Sequence, residues 1–199
     1  ANTIFDGTSC VMLSGETAAG QYPLEALATM ARIVEAAERN IDYWREFTHA
    51  SFTVAKTIGN AISHSTCSTA MHINAKAIAS ITHSGDTARR VARFRPACPI
   101  VAVTPSPKAC RQLNLSWGIY PYVQQEKPST DALFADTADT VEAAGFAAPG
   151  DLIVITAGVP VGFSGTTNLL KVQMVGHMLV GGKCAAPGVV TGELCVAAN

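Results

Sequence analysis

The stretch "AKAIASITHSGDTARRVARFRPACPIVAVT", Ala75 to Thr104, decides the fold. Ala77 to Ile81 is almost wholly apolar, and so is Pro99 to Val103. Between them lie hydroxyl residues, a glycine and an arginine-rich segment with helical spacing. Two short apolar runs separated by one helix predict neighbouring parallel strands buried on both faces.

The same rhythm continues outward. "SPKACRQLNL" (106–115) reads as a helix, "GIYPYV" (118–123) as a strand, and "STDALFADTADTVEAAGF" (129–146) as a helix capped by Ser129. "GDLIVITAG" (150–158) is the clearest strand, and "NLLKVQMV" (168–175) the last. Upstream, Val54, Ile58, Ile62 and Ser65 share one face of a helix over about 53–70. The predicted class is α/β, with a mostly parallel sheet covered by helices on both faces.

The first 45 residues read differently. "CVML" (10–13) has the pattern of a short buried strand. Pro23 suits a helix's first turn, and Leu24, Leu27, Met30, Ile33 and Val34 carry that helix to about Asn40. "IDYWREFTHAS" (41–51) breaks the periodicity and is expected to be a linker. The expected division is a βα unit over 1–45, a linker over 46–52, an α/β domain over 53–175 and a glycine-rich tail over 176–199.

Composition limits the function classes. The chain has 199 residues, 48% of them hydrophobic and 15% charged, with a net charge of -1. That is too apolar for a disordered chain, and the charge points to neither nucleic acid nor an anionic membrane. No apolar run has the length of a membrane span, and the first residues lack a signal-peptide pattern. The six cysteines, Cys10, Cys67, Cys98, Cys110, Cys184 and Cys195, form no C-x-x-C pair and read as reduced thiols of a cytosolic protein. The five histidines, His49, His64, His72, His83 and His177, lack zinc-motif spacing, so no metal site is expected.

Three stretches have the residue types for chemistry. Ser14, Gly15, Glu16 and Thr17 follow the 10–13 run, where a barrel enzyme places its site. The plain alternative is a strand-to-helix turn, with Gly15 and Gly20 supplying turn geometry. Thr82, His83, Ser84, Gly85, Asp86 and Thr87 lie where a strand gives way to a helix. A helix N-terminus offers unpaired N–H groups and partial positive charge, and hydroxyls add donors, so this turn can cradle a phosphate. It reads equally as a capped turn, with Asp86 as an unfavourable neighbour for an anion. "AGVPVGFSGTTN" (157–168) follows the strongest strand, and loops there line ligand crevices in α/β sheets. Its expected contacts are Gly158, Gly162, Ser164, Gly165 and Thr166; a flexible connector is the alternative. Arg89, Arg90, Arg93 and Arg95 read as a solvated helix face, with Arg90 and Arg93 open to an anion or a neighbouring subunit.

Together these stretches resemble pyruvate kinase. "DGTSCVMLSGETAAGQYPLEAL" is similar to the last strand, loop and helix of that family's TIM barrel. "THSGDTARRVARFRPACPIVAVTPSPKACRQLNLSWGIYPYV" and "GDLIVITAGVPVGFSGTTNLLKV" are similar to its C-terminal domain. The resemblance implies a fragment of a cytoplasmic glycolytic enzyme that forms pyruvate and ATP from phosphoenolpyruvate and ADP. The full-length enzyme uses Mg²⁺ and K⁺; none is expected to be bound by these 199 residues, which lack the earlier barrel strands. It implies that Ser14 and Glu16 act through water or another side chain, not on the reacting atoms.

The resemblance further implies an effector site at Thr82–Thr87 with loop 158–167 beside it, and a tetramer with an interface in this domain. "GVPVGFSGTTN" looks bacterial, and the tryptophan and arginine of the animal-type second phosphate site have no match. AMP or a sugar monophosphate is thus expected rather than fructose 1,6-bisphosphate. "GGKCAAPGVVTGELCVA" in the tail resembles the start of a phosphohistidine domain, without the phosphohistidine motif. Two other readings remain: an assembly module without a working effector site, and a stand-alone sugar-phosphate-binding protein.

Overall fold

The computed structural model describes residues 1–53, 55–125, 127–159 and 167–176, with the side chains of 49–53 left aside. Two short helices, α1 (Asn2–Phe5) and α2 (Gly15–Ala18), precede α3 (Pro23–Glu38), α4 (Tyr43–Thr53) and α5 (Ile58–His72). Strands and helices then alternate: β1 (Ala77–Ile81), α6 (Asp86–Arg93), β2 (Ile100–Thr104), α7 (Pro107–Leu113), β3 (Ile119–Val123), α8 (Thr130–Ala143) and β4 (Leu152–Gly158). The last strand is β5 (Thr167–Met174).

The sheet runs β3-β2-β1-β4-β5. The first three pairings in that order are parallel, and β5 runs antiparallel to β4. The central strands are apolar because both of their faces are covered. Ile78, Ile100, Ala102 and Val154 pack with Cys67, Met71, Val91 and Phe94 from α5 and the α6 region. Ala79, Val101, Ile153 and Ile155 point the other way, toward Phe134, Ala138 and Val141 of α8. This two-residue alternation is the pleat of a strand. Pro121 lies in β3 at a sheet edge, where a missing N–H is tolerated. Amides of β1, β2 and β4 should accordingly exchange hydrogen most slowly, and uniformly fast exchange there would refute this core.

Two expectations are corrected. Residues 10–13 form no strand; Cys10, Val11 and Met12 are exposed. An isolated extended segment has no neighbouring ladder to satisfy its N–H and C=O groups. The expected linker is largely helical: α4 spans Tyr43–Thr53. Asp42 Oδ1 accepts the Arg45 N–H at 3.1 Å, giving the helix its start. Phe47 then fixes it by stacking on His64, with ring centroids 4.7 Å apart, and contacting Phe94 at 6.2 Å.

Cys10, Cys67, Cys98 and Cys110 are free thiols. Burial, with Cys98 nearby, pushes the Cys67 thiol far up from its ordinary value. Burial likewise raises Cys98 to about 11. Both are thus held protonated at neutral pH and behave as small apolar packing groups.

Candidate functional site

Strand order reverses between β1 and β4: the chain leaves β1 toward β2 on one side and returns through β4 on the other. In open α/β sheets the crevice at such a reversal, outside the carboxyl ends of the strands, receives ligands. The 82–87 turn leaves β1 at this point, and the segment after Gly158 leaves β4 there.

Gly85 shapes the turn. It is the N-cap of α6, with φ 91° and ψ -3°. This left-handed conformation suits glycine. A Cβ here would also stand 3.0 Å from both Leu113 Cδ2 and Arg89 Nη1, so packing reinforces the requirement. The Gly85 N–H donates to Thr82 Oγ1 at 3.0 Å. Thr104, at the end of β2, donates its hydroxyl to the His83 carbonyl at 3.1 Å and accepts the Ser106 N–H at 3.2 Å. One threonine thereby fastens the turn to the neighbouring strand.

The turn reaches the far side of the crevice through Thr87. Its Oγ1 lies 2.8 Å from Thr167 Oγ1, and both residues are buried. At the base of the loop, Asn168 Oδ1 accepts the Val159 N–H at 2.8 Å, while its Nδ2 donates to the Val159 carbonyl at 2.6 Å. Gly158 pairs with Thr167 across an irregularity in the β4–β5 ladder. The base of the loop is thus closed and tied to α6. Gly162, Ser164, Gly165 and Thr166 lie outside the described residues.

Asp86 is exposed and pairs with Arg89, Nη1 to Oδ1 at 3.5 Å. The same nitrogen donates to the Ser84 carbonyl at 3.2 Å. A guanidinium beside the turn offsets the carboxylate that makes an anion unwelcome. The sequence left Arg90 and Arg93 open to an anion, yet Arg89 is the arginine at the turn. Its position three residues after Asp86 on a helix was the available signal. Thr104 went unrecognised, and Asn168 was read only as the end of the 157–168 stretch; their partners His83 and Val159 lie 21 and 9 positions away in the chain.

The 14–17 loop stands apart, with α2 packed against α3. The Ser14 N–H donates to Glu16 Oε2 at 3.0 Å. Backbone N–H groups of Glu16 and Ser14 hold the exposed Glu16 carboxyl below its ordinary value. Gly20, rather than Gly15, is the sterically required glycine: a Cβ there would fall 2.2 Å from the Glu16 carbonyl oxygen. Among the described residues no group of three His, Cys, Asp or Glu side chains is placed to hold a metal ion.

A doubly wound α/β domain, with its candidate site at the reversal of strand order and a helical N-terminal segment, defines the class. The chain belongs to the pyruvate kinase family: the family's alpha/beta domain matches residues 60–173 and its barrel domain residues 1–27. Pyruvate kinase of Staphylococcus epidermidis is 46% identical over 197 residues, covering 99% of this chain and 34% of that protein. The Staphylococcus aureus enzyme is 45% identical over the same length and shares. A crystal structure of a Cryptosporidium parvum pyruvate kinase superposes with a TM-score of 0.80 at 32% identity, covering 87% of this chain and 34% of that one. That organism's enzyme in complex with ADP gives a TM-score of 0.76 at 32% identity, covering 87% of this chain and 35% of the other. The chain thus spans about a third of the length of the relatives it matches.

Proposed function

We propose that these 199 residues are the regulatory and assembly portion of a pyruvate kinase, binding a phosphorylated effector at the 82–87 turn. The parent reaction is the transfer of a phosphoryl group from phosphoenolpyruvate to ADP in the cytoplasm, with Mg²⁺ and K⁺ bound elsewhere in the enzyme. The Thr87–Thr167 contact carries the effector reading, because it brings the turn and the end of loop 158–167 to one crevice. A phosphate at the start of α6 would accept bonds from backbone N–H groups and from Thr82, Ser84 and Thr87. Loop residues Gly158, Gly162, Ser164, Gly165 and Thr166 would lie over the rest of a ligand such as AMP or a sugar monophosphate. Ser14 and Glu16 belong to the barrel side and would act on catalysis only through water or other groups.

Self-association is part of the reading. Among the described residues β5 is an edge strand with Val172 and Met174 exposed, a surface suited to a second copy. An assembly module without an effector site is the second reading. The Thr82 hydroxyl already serves the turn itself, as it would in a plain capped helix.

Ser84→Ala with Thr87→Ala separates the two. Charge-assisted bonds contribute about 1.5–3 kcal/mol each. Losing two such bonds should weaken AMP or sugar monophosphate binding about a hundredfold or more. Calorimetry reads the affinity, and thermal melting in parallel checks that the lost Thr167 contact has not loosened the fold. Unchanged affinity in a folded variant rejects the cradle.

A further inference from the structure

Helix α6 carries the 82–87 turn at one end and an unusual residue at the other. Arg95 lies just past the helix, one residue beyond its C-cap Phe94, with φ 49°. Glycine is the usual residue in that conformation, which is unfavourable for a residue with a side chain. A cation is favourable near a helix C-terminus, but that alone does not require a left-handed backbone.

What the side chain reaches accounts for it. Arg95 Nη2 donates to the carbonyl oxygens of Gly7 and Thr8, within the segment that matches the barrel domain. Its guanidinium carbon lies 4.5 Å from the centroid of the Trp117 ring. Trp117 Nε1 in turn donates to Glu38 Oε1, on the last residue of α3, at 3.0 Å. The Tyr43 ring lies 6.1 Å from Trp117. A cavity of about 190 Å³, lined by Phe5, Asn40, Asp42 and Glu46 among others, runs beside the group. Burial lowers the Arg95 guanidinium from its ordinary value, with Glu38, Tyr43 and Glu46 acting in the opposite sense. These contacts join Gly7, Thr8, Glu38 and Tyr43 to Arg95 and Trp117 of the α/β domain.

We infer that Arg95 is a positioning residue that ties residues 1–38 to the α/β domain, and that α6 makes this tie sensitive to the state of the 82–87 turn. The helix has eight residues, about 12 Å of regular backbone. So short a helix moves as a unit, and a shift at its start is delivered at Arg95. The tie stands on its own contacts; its sensitivity to an effector rests on the function proposed above. Coupling of this kind is reciprocal, so cutting the tie must also alter the turn.

Arg95→Gly is the informative change. Glycine relieves the left-handed backbone while removing the guanidinium, so loss of folding is not expected. Arg95→Lys keeps the charge but cannot stack on the indole as a plane, and should restore part of the effect. Hydrogen exchange without ligand is the first measurement. Arg95→Gly should speed exchange at least about tenfold in 3–8 and 23–38, speed it at 85–88, and leave β2 and β4 unchanged. Unchanged exchange in 3–8 and 23–38 overturns the tie; unchanged exchange at 85–88 overturns the coupling.

The second measurement uses Trp117 as a reporter. The chain has two tryptophans, so Trp44→Phe leaves Trp117 alone. Saturating AMP should change its emission, and Arg95→Gly should abolish the change while calorimetry still records AMP binding. Binding that leaves Trp117 emission unaltered overturns the coupling. If neither AMP nor a sugar monophosphate binds, the effector reading fails, and the exchange data alone decide the tie and its link to the turn.

Discussion

A purified polypeptide of these 199 residues is expected to form no ATP from phosphoenolpyruvate and ADP above the buffer blank. Phosphoryl transfer is catalysed by positioning and by charge stabilisation around the transferring group. Enzymes supply acceleration of about 10⁶-fold or more, and preorganised groups in a water-excluded site are the main source. The part of the chain that matches the barrel domain is residues 1–27. There Ser14 and Glu16 are exposed, and their recorded bonds are local, from Ser14 to Glu16 and from Thr17 to Ser14. A loop this open leaves water at full strength around any bound phosphate. A coupled assay for pyruvate reads the outcome. Turnover proportional to protein concentration, and lost in Glu16→Gln, would contradict the assignment of these residues to regulation and assembly.

Gly85→Val should have the next largest effect. Valine would adopt φ 91° at a cost of roughly 1–2 kcal/mol, and its Cβ would press on Leu113 and Arg89. Overpacking adds about 1–3 kcal/mol. The turn then shifts, and several donors to a phosphate are misaligned together. Loss of two charge-assisted bonds corresponds to about a hundredfold weaker binding or more. Gly85→Asn should fall between parent and Gly85→Val, because asparagine tolerates the left-handed region better. Denaturation separates the stability loss from the binding loss. If Gly85→Val binds AMP like the parent, the turn is not where the phosphate sits.

How much of this was legible in the chain depends on where each residue's partner lies. Strands β1, β2 and β4 could be read because burial on both faces leaves an apolar run in the sequence itself. Ser129 was readable as a cap because its partner, the Ala132 N–H, is three residues away. Helix α4 was hidden because Phe47 finds its partners in His64 and Phe94, well beyond any local period. The 10–13 run misled for the converse reason: its pattern is that of a buried strand, yet strand pairing is supplied by neighbours and not by the segment. At the site, the hydroxyl-glycine turn was visible as a local cluster. The Thr104–His83 and Thr87–Thr167 bonds join residues 21 and 80 positions apart, and no local pattern announces them. Arg95 was grouped with its neighbours as a solvated arginine face. Its contacts with Gly7, Thr8 and Trp117 come from tertiary placement alone.

The most direct test of the central claim is to follow the backbone amides of Gly85, Asp86, Thr87 and Ala88 by NMR during titration with AMP and with a sugar monophosphate. A phosphate received at the start of α6 should shift these four amides in a saturable way, with Thr167 and Asn168 moving along the same curve. Saturable shifts confined to other parts of the molecule, or no shift in a folded protein at millimolar ligand, would contradict it.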